Sequence, residues 1–190
     1  MSSENPLHIG ATDKQEVTKN NGPESGPRFP VWKTLTLGVK KSVSEYEKAM
    51  EDKGIRFEGA RVILENPHFF VNKSQEDLDL VIVSLAELGI EKAANYQEIC
   101  SRTNMLLDLC PEEVGPALRL AYDDQPEGER LMVAMQTFQG LNTYNGADYC
   151  RVAFRLINGY GHLSLETIGH PALLWEPKDR FVFVRNNQLR

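Results

Sequence analysis

Three chemically capable side chains stand at alternate positions of the segment HLSLET: His162, Ser164 and Glu166. The alternation of polar and apolar residues predicts a β-strand that turns these three to one face and Leu163 and Leu165 to the other. Imidazole, hydroxyl and carboxylate are the groups of a hydrolytic triad. Same-face neighbours on a strand lie about 7 Å apart, whereas triads usually gather their members from separate segments. The pattern is typical of the polar face of an amphipathic strand, with a small hydrolase as the alternative.

The histidines suggest two further kinds of chemistry. The triplet HLS resembles half of the His-x-Ser/Thr pair of two-histidine phosphoesterases, but the other histidines read HIG, HFF and HPA, so the second copy is missing. His162, His170 and Cys150 could supply zinc ligands, although their spacing is not diagnostic. The loops GxxxxGK[ST] and GxGxxG and the motifs HExxH and GxSxG are absent. We therefore expect neither a metal nor a cofactor.

The segment LCPEEVGPALRLAYDDQPEGERLMVAM, residues 109–135, is dense in acids and prolines. Its first half predicts a short turn and then a helix that restarts at Pro116 and carries Leu118 and Tyr122. Pro126 and Gly128 then predict an exposed turn. The acids of that turn do not follow the spacing of a calcium-binding EF-hand loop. These acids are Asp123, Asp124, Glu127 and Glu129.

Negative charge is concentrated in the middle of the chain. The net charge is -6, and residues 76–130 hold 13 acids and 4 bases. Nucleic-acid binding normally needs a basic stripe, so none is expected. An acidic face can instead dock a basic protein partner. We take residues 76–130 as the candidate docking face, with the four acids of the turn as its partner-binding rim.

Composition excludes several classes of protein. Three cysteines without a CxxC motif argue against a disulfide scaffold. The longest aliphatic run, residues 80–83, is far shorter than the roughly 20 apolar residues of a membrane span. The N-terminus lacks the basic and apolar regions of a signal peptide. These observations predict a cytoplasmic protein without membrane insertion. The aromatic residues Trp32, Trp175, Tyr144 and Tyr160 could form a binding surface, although tryptophan near strand ends usually belongs to the core.

The elements that must position these groups predict an α+β fold. Residues 1–28 are polar and rich in Gly, Pro, Ser and Asn, which predicts a flexible, disordered tail. Residues 29–190 should form a single α+β domain, with a possible subdomain junction near residue 130. Its N-terminal part should be α-rich, with a helix capped by Ser44 and Glu47 and another capped by Asn95. FPVWKTLTLG and HFFVN should be strands, and EDLDLVIVSLAELG favours a strand.

After residue 130 the pattern becomes one of strands. RLMVAMQTF, CRVAFRLI and HLSLETI each alternate in the manner of a half-buried strand. RFVFVR is apolar on both faces, which predicts a central position in the sheet. We expect a mainly antiparallel C-terminal sheet packed against helices. A short echo between residues 35–58 and 86–109 is compatible with an internal duplication or with chance.

Three segments carry a resemblance. FPVWKTLTLG, LCPEEVGPALRLAYDDQPEGERLMVAM and DRFVFVR resemble a family of short uncharacterised bacterial proteins over most of the chain from Phe29 onward. The resemblance implies a bacterial or phage origin and carries no functional residues. Because no catalytic motif is complete, the sequence favours a non-catalytic binding or accessory protein that acts through protein–protein contacts. The alternative is the small hydrolase built on His162, Ser164 and Glu166.

Overall fold

The computed structural model describes residues 29–102, 107–141, 149–169 and 173–186. The predicted tail, residues 1–28, lies outside this part of the chain. Within it the strands are β1 (Lys33–Leu37), β2 (Glu76–Ser84), β3 (Leu107–Asp108), β4 (Arg130–Val133), β5 (Phe138–Leu141), β6 (Tyr149–Gly159), β7 (His162–Ile168) and β8 (Arg180–Arg185). The helices are α1 (Val43–Asp52), α2 (Arg61–Leu64), α3 (Tyr96–Ser101) and α4 (Val114–Ala121), and a 3-10 turn, Glu58–Ala60, precedes α2.

All eight of these strands belong to one curled, mixed sheet. Its order is β1-β2-β8-β4-β6-β5, with β3 also beside β8 and β7 beside β6. The pairings are antiparallel except that of β4 with β8, which is parallel. The central position predicted for RFVFVR is confirmed, since β8 lies between β2 and β4. Strands from both sides of residue 130 are hydrogen-bonded within this sheet.

The prediction of an α-rich N-terminal part is wrong. Strand accounts for 34% of the structure and helix for 22%, and β1, β2 and β3 of the N-terminal half join the same sheet as the C-terminal strands. The helices are 10, 4, 6 and 8 residues long. Helices this short draw most of their stability from tertiary packing, so local periodicity overstated them.

One of the predicted helix N-termini is confirmed, and two differ from the prediction. Asn95 caps α3 as predicted, accepting a hydrogen bond from the Glu98 amide at 2.9 Å. The cap of α1 is Ser42 rather than Ser44, because its Oγ accepts from the Glu45 amide at 3.2 Å. Helix α4 begins at Val114 and not at Pro116. The proline fits inside the first turn, where an amide donor would have no intrahelical acceptor.

The segment of residues 68–72, predicted as a strand, is irregular, and its last residue contacts a buried carboxylate. Glu113 is 1% exposed and accepts hydrogen bonds from the Tyr46 hydroxyl at 2.6 Å, the Gly38 amide at 2.9 Å and the Asn72 amide at 2.8 Å. Buried charges persist where such donors surround them. Glu113 therefore joins the end of β1, helix α1 and the segment before β2 to the start of α4.

Apolar side chains cover both faces of the central strands. Val182 belongs to one buried cluster with Leu80, Leu131 and Phe154. Its neighbours Phe181 and Phe183 belong to a second cluster with Val81, Met132 and Trp175. This division follows the two-residue period of a strand. No helix among the described residues has both the length and the apolar character to cross a bilayer.

Candidate functional site

The three residues singled out in HLSLET lie along one groove. The predicted strand is confirmed as β7, and the side chains of His162, Ser164 and Glu166 line a cavity of about 660 Å³. In the antiparallel register these residues face Gly159, Ile157 and Arg155 of β6. The groove floor is thus the polar face of the β6–β7 hairpin.

The opposite face of this hairpin explains why it folds in this orientation. Leu156 and Leu165 are paired across the two strands, and both are completely buried in the first apolar cluster beside Phe154. A one-residue slip would expose these side chains and bury the charged ones, so burial determines the register. The apolar core thereby determines which side chains face the groove.

A row of four aligned residues crosses the middle of the groove. Arg130 of β4 is paired with Ile157 of β6, and Ile157 is paired with Ser164 of β7. Arg56 continues the row through a parallel bridge with Ser164. Its amide donates to the Leu163 carbonyl at 3.0 Å, and its carbonyl accepts from the Leu165 amide at 2.8 Å. The two arginines therefore flank the Ile157–Ser164 pair.

Both flanking arginines are exposed to solvent. Neither Arg56 nor Arg130 forms an ion pair within 4.0 Å with any described residue. Across three strand spacings their Cα atoms are about 14 Å apart, so both long side chains can lean over the central pair. The exposed carboxylate of Glu58 also lines the groove. The middle of the groove presents more positive than negative charge.

A third arginine is engaged with the acid of the suggested triad. Arg155 Nη2 donates to Glu166 Oε2 at 2.7 Å, and the two side chains are 21% and 38% exposed. Ser164 Oγ donates to Glu166 Oε1 at 3.4 Å, a long hydrogen bond. Both carboxylate oxygens of Glu166 thus have donors already. The Nε atom of Arg155 is buried and has no hydrogen-bond partner in the described part of the chain.

The triad geometry is not assembled in this groove. His162 is exposed, and its ring makes no hydrogen bond with Ser164 or with another described residue. A serine nucleophile needs a base within hydrogen-bond reach to take its proton. The neighbour that Ser164 has is Glu166, which is paired with Arg155. The hydrolytic alternative therefore lacks its central contact.

The acids of the predicted turn divide into two groups. Asp123, Asp124 and Glu127 are exposed, and Asp123 Oδ2 lies 3.8 Å from Lys53 Nζ. Glu129 instead accepts from the Tyr122 hydroxyl at 2.8 Å and from Arg180 at 2.7 Å, with its side chain 11% exposed. Glu129 therefore belongs to the internal structure and not to an exposed rim.

A buried arginine holds the turn in place. Arg119 of α4 is inaccessible to solvent and donates to Gln125 Oε1 and to the Tyr122 carbonyl. Gln125 donates onward to the Leu156 carbonyl of β6 at 3.4 Å. Burial lowers the pKa of the Arg119 guanidinium to about 10, so it remains charged at neutral pH. The acidic turn is consequently fixed to the body of the protein by hydrogen bonds beneath it.

The aromatic residues and the metal ligands suggested by the sequence do not form a common site among the described residues. Trp175 is buried against Phe181 and is a core residue, whereas Trp32 is half-buried and packs edge-on against Tyr122 with ring centroids 4.9 Å apart. Tyr160 is 98% exposed at the groove mouth. The residues Tyr144 and His170 and the side chain of Cys150 lie outside the described residues. Among those described, no group of three or more His, Cys, Asp or Glu could hold a metal ion.

Sequence reasoning missed the arginines of the groove. Arg155 stands on the polar face of β6, and its alternation with Phe154 and Leu156 was a usable signal. Arg56 carries no local signal, because its place beside Ser164 depends on a contact between distant segments. No known protein family, curated protein or solved structure matches the chain. The resemblance to short bacterial proteins remains a prediction.

Proposed function

We propose that this chain is a non-catalytic binding protein whose groove holds an anionic group, a phosphate or a carboxylate. The observation that carries the proposal is the pair Arg56 and Arg130, which flank the Ile157–Ser164 row without an ion-pair partner among the described residues. A guanidinium presents a planar fork of donors that matches the oxygens of phosphate and carboxylate. Two such side chains on either side of the Ile157–Ser164 pair can hold an anion between them.

The charge of the whole protein makes this groove distinctive. The net charge is -6, so the protein as a whole repels anions at long range. Ser164 lies between the two arginines in the row, and the residue is 9% exposed. Its hydroxyl can rotate to donate to a bound oxygen. The groove thus combines two charged donors with one neutral donor.

Binding is favoured over catalysis by what surrounds Ser164. Its hydroxyl has no partnered histidine, and the nearby carboxylate of Glu166 is held by Arg155. The hydrogen bond from Ser164 to that carboxylate is long, 3.4 Å, whereas the one from Arg155 is 2.7 Å. We therefore assign Ser164 the role of a ligand-binding donor.

Isothermal titration with inorganic phosphate and with succinate tests this proposal. Arg56→Gln and Arg130→Gln should each weaken the better-bound anion about tenfold, the loss typical of one charge-assisted hydrogen bond. Arg102→Gln is the matched control, since Arg102 lies outside the groove. Unchanged affinity in both groove variants would overturn the anion site. Hydrolysis of a p-nitrophenyl ester that disappears in Ser164→Ala would replace it with the hydrolase.

A second candidate function is protein docking at the acidic turn. The observation that favours it is the hydrogen bonding of Arg119 and Gln125 beneath the turn, which holds Asp123, Asp124 and Glu127 in a fixed array facing solvent. A pre-ordered array loses little conformational freedom on binding a basic partner. Glu129 is excluded from this surface because its carboxylate is engaged internally.

Affinity capture from a cell lysate tests the docking surface. The intact chain and a variant carrying Asp123→Asn, Asp124→Asn and Glu127→Gln should be used side by side, with mass spectrometry of the captured proteins. A protein partner that is lost from the variant and released by salt supports the surface, because exposed charges are screened. Equal capture by both chains removes this candidate. Glu76→Gln, Glu91→Gln and Glu112→Gln combined remove the same number of charges outside the turn and provide the control.

A further inference from the structure

The turn at the mouth of the groove has an unusual residue at its tip. Gly159 is paired with His162, so β6 and β7 are joined by the two residues Tyr160 and Gly161. Their φ angles are 54° and 74°. Positive φ at both central residues defines a type I′ turn, which suits the twist of a hairpin and favours Asn, Asp or Gly at its first position. A tyrosine there is an outlier for a bulky side chain.

Folding does not account for this tyrosine. A non-glycine residue in the left-handed region is less stable than glycine by about 1–2 kcal/mol. The side chain of Tyr160 is 98% exposed, so burial does not offset that cost. Residues whose backbone strain is not offset by packing are often found at binding sites. The ring of Tyr160 is therefore a candidate ligand contact.

The position of the ring relates it to the arginines. Tyr160 and His162 line the same groove as Arg56 and Arg130. The Gly159–His162 pair lies one same-face step, about 7 Å, from the Ile157–Ser164 pair that the arginines flank. A ligand anchored between the arginines thus reaches the tyrosine with its next chemical unit. An exposed aromatic ring stacks on planar rings.

We propose that the groove binds a nucleoside phosphate, with the phosphate between Arg56 and Arg130 and the base stacked on Tyr160. The inference rests on the proposed anion site and adds the class of ligand. The groove volume of about 660 Å³ lies within the range of small-molecule sites. A free nucleotide fits better than a nucleic-acid strand. A strand would continue past the groove over a surface that belongs to a protein of net charge -6.

Isothermal titration of the full chain with four probes tests the inference. The probes are inorganic phosphate, adenosine, adenosine 5′-monophosphate and a single-stranded oligonucleotide of eight adenylates. We expect the monophosphate to bind at least about tenfold more tightly than phosphate, the gain typical of one stacked base. Adenosine should bind weakly, because it lacks the charge that the arginines hold. The oligonucleotide should bind no more tightly than the monophosphate.

Variants of Tyr160 distinguish an effect of its ring on binding from an effect on folding. Tyr160→Asn should abolish the advantage of the monophosphate, retain phosphate binding, and leave the melting temperature unchanged or higher, since asparagine suits this turn. Tyr160→Phe should keep the advantage. Phe70→Ala is the matched control, because Phe70 is an aromatic residue 55% exposed outside the groove.

The outcomes distinguish the inference from the proposed function. Phosphate binding that is equal in Tyr160→Asn and lost in Arg56→Gln, with no advantage for the monophosphate, overturns the nucleotide and leaves the anion site. No phosphate binding and no effect of Arg56→Gln on any probe overturns both. Tight binding of the oligonucleotide without binding of the monophosphate overturns the free nucleotide as ligand.

Discussion

Arg155 and Glu166 form an ion pair of 2.7 Å across β6 and β7, at the end of the groove away from the hairpin tip. The sequence suggested Glu166 as the acid of a catalytic triad. In the structure its carboxylate is instead paired with Arg155. Arg56 and Arg130, in contrast, are groove arginines that form no ion pair with any residue in the described part of the chain. This contact supports the proposed anion site over the alternative of a hydrolase.

Replacing Glu166 with glutamine should strengthen anion binding. The substitution removes a negative charge from the groove and releases Arg155, so phosphate affinity should rise several-fold in titration calorimetry. Stability should fall by less than about 1 kcal/mol in urea unfolding, because partly exposed ion pairs contribute little. Glu91→Gln removes an equal charge outside the groove and should change neither quantity. Weaker phosphate binding in Glu166→Gln would argue against an anion site here.

The buried carboxylate of Glu113 should contribute more to the free energy of unfolding than a surface carboxylate does. Tyr46→Phe removes the 2.6 Å hydrogen bond to Glu113 Oε1 and should cost about 1.5–3 kcal/mol in urea unfolding. Glu113→Gln should cost about 3 kcal/mol, because the amide group brings a donor toward one of the three donors that now surround the carboxylate. The neighbouring substitution Glu112→Gln should cost less than about 0.5 kcal/mol. Equal effects at positions 112 and 113 would contradict this account.

Gly115 should resist substitution although it lies in a helix. Alanine in place of helical glycine normally stabilises a protein by about 0.5–1 kcal/mol. A Cβ at Gly115 would lie 2.2 Å from Cδ2 of the buried Phe154, so Gly115→Ala should instead cost about 1–3 kcal/mol. Combining it with Phe154→Leu should cost less than the sum of the two changes, since the smaller ring-free side chain restores space. Additive thermal denaturation results would indicate that no clash exists.

Stability should fall in alkali partly through Tyr122. Burial and the hydrogen bond to Glu129 raise the pKa of Tyr122 from its ordinary 10 to about 12. The folded state therefore favours the neutral phenol. Its contribution to stability is complete below about pH 10 and is lost as the pH rises through about 12. Tyr122→Phe should reduce the loss of unfolding free energy between about pH 9 and about pH 11.5.

A second variant checks the cause of that shift. Glu129→Gln removes the negative charge beside the phenol, so the phenolate absorbance of Tyr122 should appear at lower pH than in the parent chain. Subtracting the titration of the Tyr122→Phe chain isolates the signal of this one residue. Burial also raises the pKa of Tyr46, so part of the alkaline destabilisation should persist in Tyr122→Phe. Identical alkaline profiles for the parent and Tyr122→Phe chains would refute the linkage.

Short-range sequence patterns were sufficient to predict several elements and to predict that the candidate residues share one face of a strand. The alternation in HLSLETI predicted β7 and the common side of His162, Ser164 and Glu166, and the doubly apolar RFVFVR predicted the central strand β8. Asn95 was a legible cap for α3. The α-rich N-terminal part was wrong, because periodicity over a few turns cannot weigh a short helix against pairing with a distant strand.

The amino-acid sequence by itself determined which segments alternate, where one helix is capped and which side chains stand together on β7. These properties follow from backbone geometry and from hydrogen bonds within a few residues. Only the tertiary structure placed Arg56 beside Ser164, Arg130 beside Ile157 and Glu113 beneath Tyr46, and only it withdrew Glu129 from the exposed turn. Such neighbours depend on the burial of apolar faces and on the closing of long loops, and no local pattern of residues encodes the sum of those free energies.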